Sequence, residues 1–278
     1  MADLSKSYQR IEIKGSENTK AYCWTVGNKE NPPLLLVPGF TGTHTDLMAV
    51  ADGLTSKYFV IVPDFPGWGE SPRFSQGLTI ENYAAYVKSL IDQLKFTKIT
   101  YAGHCMGATV GIEFANQFPQ NLKTLFLLST PNLAGLYNKL LFFAADSALH
   151  FPKKIRPLFY LWRNRYTCAL ANIFVIRCVG KMRKLKLIMH YILVQGDAPE
   201  DSIEEAWVSL IHYNYKKIAN IKAPTHIIHG NEDILITKKQ VEEMCGFLPT
   251  ATVDYVLNCG HMPPVENPKG VAEAILRY

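Results

Sequence analysis

Gly103-His104-Cys105-Met106-Gly107 sets a thiol between two glycines where the chain changes from strand to helix. The preceding Lys98-Ile99-Thr100-Tyr101-Ala102 reads as a short strand, and Ala108 to Phe118 as a helix with apolar residues on one face. A sharp reversal between them leaves little room for side chains beside the central residue, and glycine on either flank supplies that room. Cys105 is thereby pushed outward, where its thiol can serve as a nucleophile.

Outward from this turn the chain keeps one rhythm. Tyr8 to Lys14 and Thr19 to Val26 read as two strands of an antiparallel edge, joined by a turn at Gly15-Ser16-Glu17-Asn18. Leu34 to Val37, Phe59 to Val62, Ile99 to Ala102, Leu122 to Leu128, Thr225 to His229 and Thr252 to Leu257 are short runs rich in apolar and β-branched residues. Helices are expected near Asp46 to Lys57, Ile80 to Leu94, Cys105 to Phe118, Lys238 to Gly246 and Pro268 to Tyr278. Such alternation implies a mostly parallel eight-stranded sheet covered on both faces. The rhythm breaks after Pro131. A long helical region follows to about Lys222, which divides the chain into a core of 1–131 and 222–278 and a helical cap of 132–221, inserted after the sixth strand.

The net positive charge is concentrated in the cap. The net charge of +5 conceals eleven basic residues and one acidic residue, Asp146, between Asn132 and Tyr191, against 18 basic and 23 acidic elsewhere. Apolar clusters such as Leu140-Leu141-Phe142-Phe143 and Leu158-Phe159-Tyr160-Leu161-Trp162 interleave with that charge. The plain reading is a lid whose apolar faces cover the site while lysines and arginines solvate its outside. Peripheral contact with an anionic membrane is the other use of the same pattern. Nothing resembles a nucleic-acid module, so nucleic acid is excluded as a partner. Six dispersed cysteines without a C-x-x-C pair, and no apolar run of the roughly 18 residues a membrane span needs, lead us to expect a cytoplasmic protein with reduced thiols. No His and acid spacing resembles a zinc site, and Gly67-Trp68-Gly69 lacks the rest of a dinucleotide motif. Neither metal nor cofactor is expected, and the oligomeric state is not encoded in any feature of the sequence.

Four further segments accompany the first. Leu34-Leu35-Leu36-Val37-Pro38-Gly39-Phe40 lies upstream, followed by Asp64-Phe65-Pro66-Gly67-Trp68-Gly69-Glu70-Ser71. Downstream come Ile227-Ile228-His229-Gly230-Asn231-Glu232-Asp233 and Gly260-His261-Met262-Pro263-Pro264-Val265-Glu266. In this order they resemble the α/β-hydrolase family: third strand and oxyanion turn, glycine-rich loop, acid segment and histidine segment. The turn at Cys105 resembles its nucleophile elbow, G-x-S-x-G, with cysteine where serine is usual. The resemblance spans nearly the whole chain and implies the α/β-hydrolase fold. It also implies a catalytic triad of Cys105, Asp233 and His261 in the family's chain order.

Within that resemblance, His261 is the base for Cys105, and Asp233 fixes its tautomer and stabilises the imidazolium. Backbone N–H groups of Phe40 and Met106 are the expected oxyanion hole. Gly39, His44 and His104 are expected around the substrate pocket, with His104 beneath the elbow and Asp46 or Thr45 at a helix start. His229 and Cys259 read as buried structural residues. The implied activity is hydrolysis of a carboxylic ester or thioester with an apolar acyl group, on a small-molecule acyl substrate. Acyl transfer of the polyester-synthase kind, carbon–carbon bond hydrolysis and a non-catalytic small-molecule receptor are the alternatives. Cys105 itself reads in three ways: a native nucleophile, as in dienelactone hydrolases; a replacement for serine; or an inert residue of a binding protein.

Overall fold

The computed structural model describes residues 8–14, 20–131 and 200–278. The eight strands among them are β1 (Gln9–Lys14), β2 (Lys20–Val26), β3 (Pro33–Val37), β4 (Phe59–Pro63), β5 (Ile99–His104), β6 (Leu122–Leu128), β7 (Thr225–Gly230) and β8 (Thr252–Val256). They form one sheet in the order β1-β2-β4-β3-β5-β6-β7-β8. Antiparallel pairing is confined to β1 with β2 and β2 with β4; from β4 to β8 every neighbour is parallel. This is the fold expected from the alternation of apolar runs and helical segments.

Helices on both faces explain why the central strands are apolar without interruption. Leu34, Leu35, Leu36 and Val37 of β3 are all fully buried. On one face lie α1 (Met48–Leu54) and the last helix, which bury Leu47, Val50, Leu54, Val271 and Ile275. On the other, α2 (Ile80–Gln93) and α3 (Met106–Gln117) bury Tyr83, Val87, Val110 and Phe114 against Leu35, Tyr101 and Leu125. The Thr79 hydroxyl accepts the Asn82 amide at 3.2 Å and so sets the start of α2. The helix expected from Asp46 starts differently. His44–Asp46 form a 3-10 turn, closed by the Asp46 carboxylate accepting the Thr43 amide at 3.2 Å, and α1 begins only at Met48.

The connection from β6 to β7 needs a crossover, because parallel neighbours force the chain back to the opposite end of the sheet. Among the described residues, α4 (Glu200–His212) and a 3-10 turn at Tyr215–Asn220 make this return. The Tyr215 and Thr109 hydroxyls bond at 3.2 Å near the head of α3. Lower down, Lys217 meets Glu113 at 2.8 Å and its carbonyl accepts Asn116 Nδ2 at 3.1 Å. Residues 213–221, given to the cap by the sequence reading, therefore run along α3. Residues 132–199, with their basic and apolar clusters, the membrane contact expected of them, and Cys168 and Cys178, lie outside the described residues. After β7 come α5 (Lys238–Phe247), then β8, α6 (Pro263–Glu266) and α7 (Pro268–Leu276).

Candidate active site

Cys105 stands at the carboxyl end of β5, where α/β sheets carry their ligands. Its φ of 49° and ψ of −114° are unusual for a residue with a side chain, and such strain gathers at functional sites. Neighbouring bonds hold it there. The Cys105 amide donates to the Leu128 carbonyl at 2.9 Å, and the Cys105 carbonyl accepts the amides of Ala108 and Thr109 at 3.0 and 3.2 Å. A Cβ on Gly107 would stand 2.4 Å from the Pro38 carbonyl oxygen, so only glycine lets α3 press this close to β3.

Two loops bring the partners in. Asp233 follows β7, and its Oδ1 accepts the amides of Leu235 and Ile236 at 2.8 and 3.0 Å, leaving Oδ2 to meet His261 Nδ1 at 2.8 Å. The loops touch directly: a Cβ on Gly230 would fall 2.0 Å from the Gly260 carbonyl oxygen. Cys105 interacts with the same imidazole, its sulfur acting with Asp233 to favour the protonated ring. The structure thus brings Cys105, His261 and Asp233 into one chain.

The electrostatics follow from this geometry. Burial alone would lower the His261 pKa, but the Asp233 carboxylate and the Cys105 sulfur outweigh it and hold the imidazole well above its ordinary value. Burial alone would raise Asp233; His261 and the Ile236 amide hold it below the usual carboxylate range. Both shifts run in the direction of a His261–Asp233 ion pair.

The two residues expected to supply oxyanion donors adjoin Cys105, one in sequence and one through the neighbouring turn. Met106 is the first residue of α3, and an amide there has no partner within its helix. Phe40 follows Gly39 in a turn closed by the Gly42 amide on the Gly39 carbonyl at 3.1 Å. A Cβ on Gly39 would lie 3.2 Å from Cys105 Cβ, so this turn borders the nucleophile. The Phe40 ring contacts the rings of Trp68 and Trp207, with centroids 5.6 and 5.4 Å away.

Of the other expected pocket residues, both histidines are engaged elsewhere. His44 Nδ1 lies 2.9 and 3.0 Å from the Asp64 carboxylate oxygens, and its ring stacks on Trp24 at 3.4 Å. It braces the loop after β3. His104 is buried, and its Nε2 donates to the His261 carbonyl at 2.8 Å, supporting the base from below. The sequence reading gave Glu266 no role. Its carboxylate accepts the amides of Gly260 and Met262, each at 3.1 Å, and so brackets His261 on both sides. The quoted run from Gly260 to Glu266 contains the signal, a carboxylate one helical turn beyond two loop amides.

Among the described residues, no three His, Cys, Asp or Glu side chains are grouped to hold a metal ion, and no helix is long and apolar enough to cross a membrane. Cys23, Cys105, Cys245 and Cys259 are free thiols.

A family model described as the alpha/beta hydrolase fold matches residues 32–172, just over half of the chain. The chain belongs to the α/β-hydrolase family. It is similar to Lipase 1 of Psychrobacter immobilis, 24% identical over 246 residues that cover 86% of this chain and 74% of the lipase. A solved structure of a hydrolase from Pseudomonas aeruginosa superposes with a TM-score of 0.80 at 18% identity, covering 97% of both chains. That of a thermophilic esterase from Thermogutta terrifontis, with malate bound, gives 0.76 at 24% identity and the same coverage.

Proposed function

We propose that this α/β hydrolase cleaves carboxylic esters or thioesters through a covalent thioester on Cys105. The Asp233–His261 hydrogen bond, with the Cys105 sulfur acting on the same imidazole, carries this reading, because it supplies nucleophile, base and orienting acid together. Cys105 passes its proton to His261 and attacks the carbonyl carbon as the thiolate, and the amides of Phe40 and Met106 receive the charge that develops on oxygen. Collapse of this intermediate breaks the bond to the leaving alkoxide or thiolate, which takes the proton from His261. Neutral His261 then draws a proton from water, whose oxygen displaces the thioester to release the acid and restore the thiolate.

The partly buried rings of Phe40 and Trp207, in contact beside the oxyanion turn, favour an apolar acyl group there. The names of the similar lipase and esterase point to the same bond type. The test is hydrolysis of p-nitrophenyl esters of short and medium chain length by the native protein, Cys105→Ser and Cys105→Ala. Turnover by the cysteine or serine form and none by alanine is expected. Absence of turnover by both on every ester and thioester tried would remove the proposal.

A further inference from the structure

Asp233 has a second histidine beside it. His229, at the end of β7, is 1% exposed, and its Nε2 lies 3.9 Å from the same Asp233 Oδ2 that meets His261. That Nε2 also lies 2.9 Å from the Ile236 carbonyl oxygen. A carbonyl only accepts, so the ring proton sits on Nε2 and Nδ1 is the bare nitrogen. Nδ1 is indeed buried without a partner. Burial outweighs the pull of Asp233 and lowers the His229 pKa, so the ring is neutral.

The near end of the turn that carries the acid is tied to the histidine loop by the Glu232 amide on the Cys259 carbonyl at 2.9 Å, and its far end is closed by local bonds and by His229. Asp233 Oδ1 takes the amides of Leu235 and Ile236, while the carbonyl of that same Ile236 is tied back to β7 by His229. The His229 N–H thus anchors the far end of the turn to the sheet. From there it also faces the Asp233 carboxylate without competing for it as a second cation. The other groups facing it are His261 and Lys238, which both disfavour its protonation, and the Tyr255 ring, edge-on at 6.1 Å.

We propose that His229 is a positioning residue for the proposed triad: its Nε2–H locks the 233–236 turn so that Asp233 Oδ2 points at His261 Nδ1. The inference rests on the reading of Cys105, His261 and Asp233 as the triad, and it deepens that reading without adding a group that touches substrate.

The test compares His229→Phe, which keeps a ring and loses the donor, with His229→Gln, which keeps a donor of similar reach. Three readouts are followed in each: the far-downfield NMR resonance of the His261 Nδ1 proton, the alkylation rate of Cys105 by iodoacetamide at pH 7, and kcat and KM on the best p-nitrophenyl ester. His229→Phe is expected to broaden or abolish the resonance and to slow alkylation and kcat roughly ten-fold at constant KM, as a small misplacement of a reacting group does. His229→Gln should restore much of each. If the phenylalanine form does not fold, His229→Met takes its place as the donorless variant. Native resonance and alkylation rate in a folded donorless form, or no advantage of glutamine over it, would overturn the proposal. Failure of the native protein to turn over any ester would count against the activity instead, since the resonance and the alkylation rate are read without substrate.

Discussion

Gly103 and Gly107 face one another across the elbow so closely that a Cβ on the first would stand 2.3 Å from the carbonyl oxygen of the second. Backbone cannot give way as a flexible side chain can. Gly103→Ala is therefore expected to destabilise the protein by about 1–3 kcal/mol or to displace Cys105, since an added methyl in a filled space forces such shifts. Urea unfolding together with Cys105 alkylation measures both. A variant with native stability and native alkylation would show the elbow to be looser than this.

His104 predicts a loss of stability in acid. Burial, helped by repulsion from His261, pushes its pKa down to about 3, while an unfolded histidine titrates near 6.5. Between these values the unfolded chain holds a proton that the folded one does not, so the stability is complete above about pH 6.5 and declines as the pH falls toward 3. His104→Gln, which keeps a donor for the His261 carbonyl and does not titrate, should flatten this decline. Urea midpoints at pH 7 and pH 4 for both forms provide the comparison, and equal declines would assign the acid lability to other groups.

Glu266 predicts a coupled loss of stability and rate. In Glu266→Gln an NH2 group meets one of the two backbone amides that the carboxylate now accepts, leaving a buried donor unsatisfied at a cost of about 1–3 kcal/mol. The loop carrying His261 then loosens. A lower kcat at unchanged KM is expected, with a lower melting temperature; unchanged kcat would reduce Glu266 to a purely structural role.

Lys217 predicts a long-range effect on the elbow helix. Burial would raise the pKa of Glu113, but hydrogen bonds from Lys217, Gln117 and Tyr213 hold it below its usual value. Its contribution is thus present above the unfolded carboxylate pKa, near 4.3, and is lost as the pH falls through the lower folded value. Lys217→Met should cost about 1–3 kcal/mol at pH 7, the loss of a hydrogen bond to a buried charge. The double variant with Glu113→Gln should lose less than the sum of the two single variants, measured by denaturant titration. Strict additivity would mean that the pair contributes nothing as a pair.

What the sequence made legible was local or periodic. β5, Cys105 and α3 were readable because an apolar strand, a turn flanked by glycines and an amphipathic helix follow one another without a gap. The strands were found to within a residue or two, since burial on both faces leaves apolar runs with sharp ends. Non-local pairing was not legible. His44 looked available for substrate because Asp64, twenty residues on, gives no sign in the sequence of turning toward it. His104 meets the His261 carbonyl across 157 residues, and Glu113 meets Lys217 across 104. The start of α1 moved for a smaller reason, the preference of the Asp46 carboxylate for the Thr43 amide over a place inside the helix.

The descent along α3 couples the chain's return to the elbow helix. Among the described residues, the part of the return to the foot of β7 that follows His212 is bolted to the elbow helix at Thr109, Glu113 and Asn116. A change on this one face of the elbow helix is therefore transmitted both to the nucleophile and to the strand that leads to the acid.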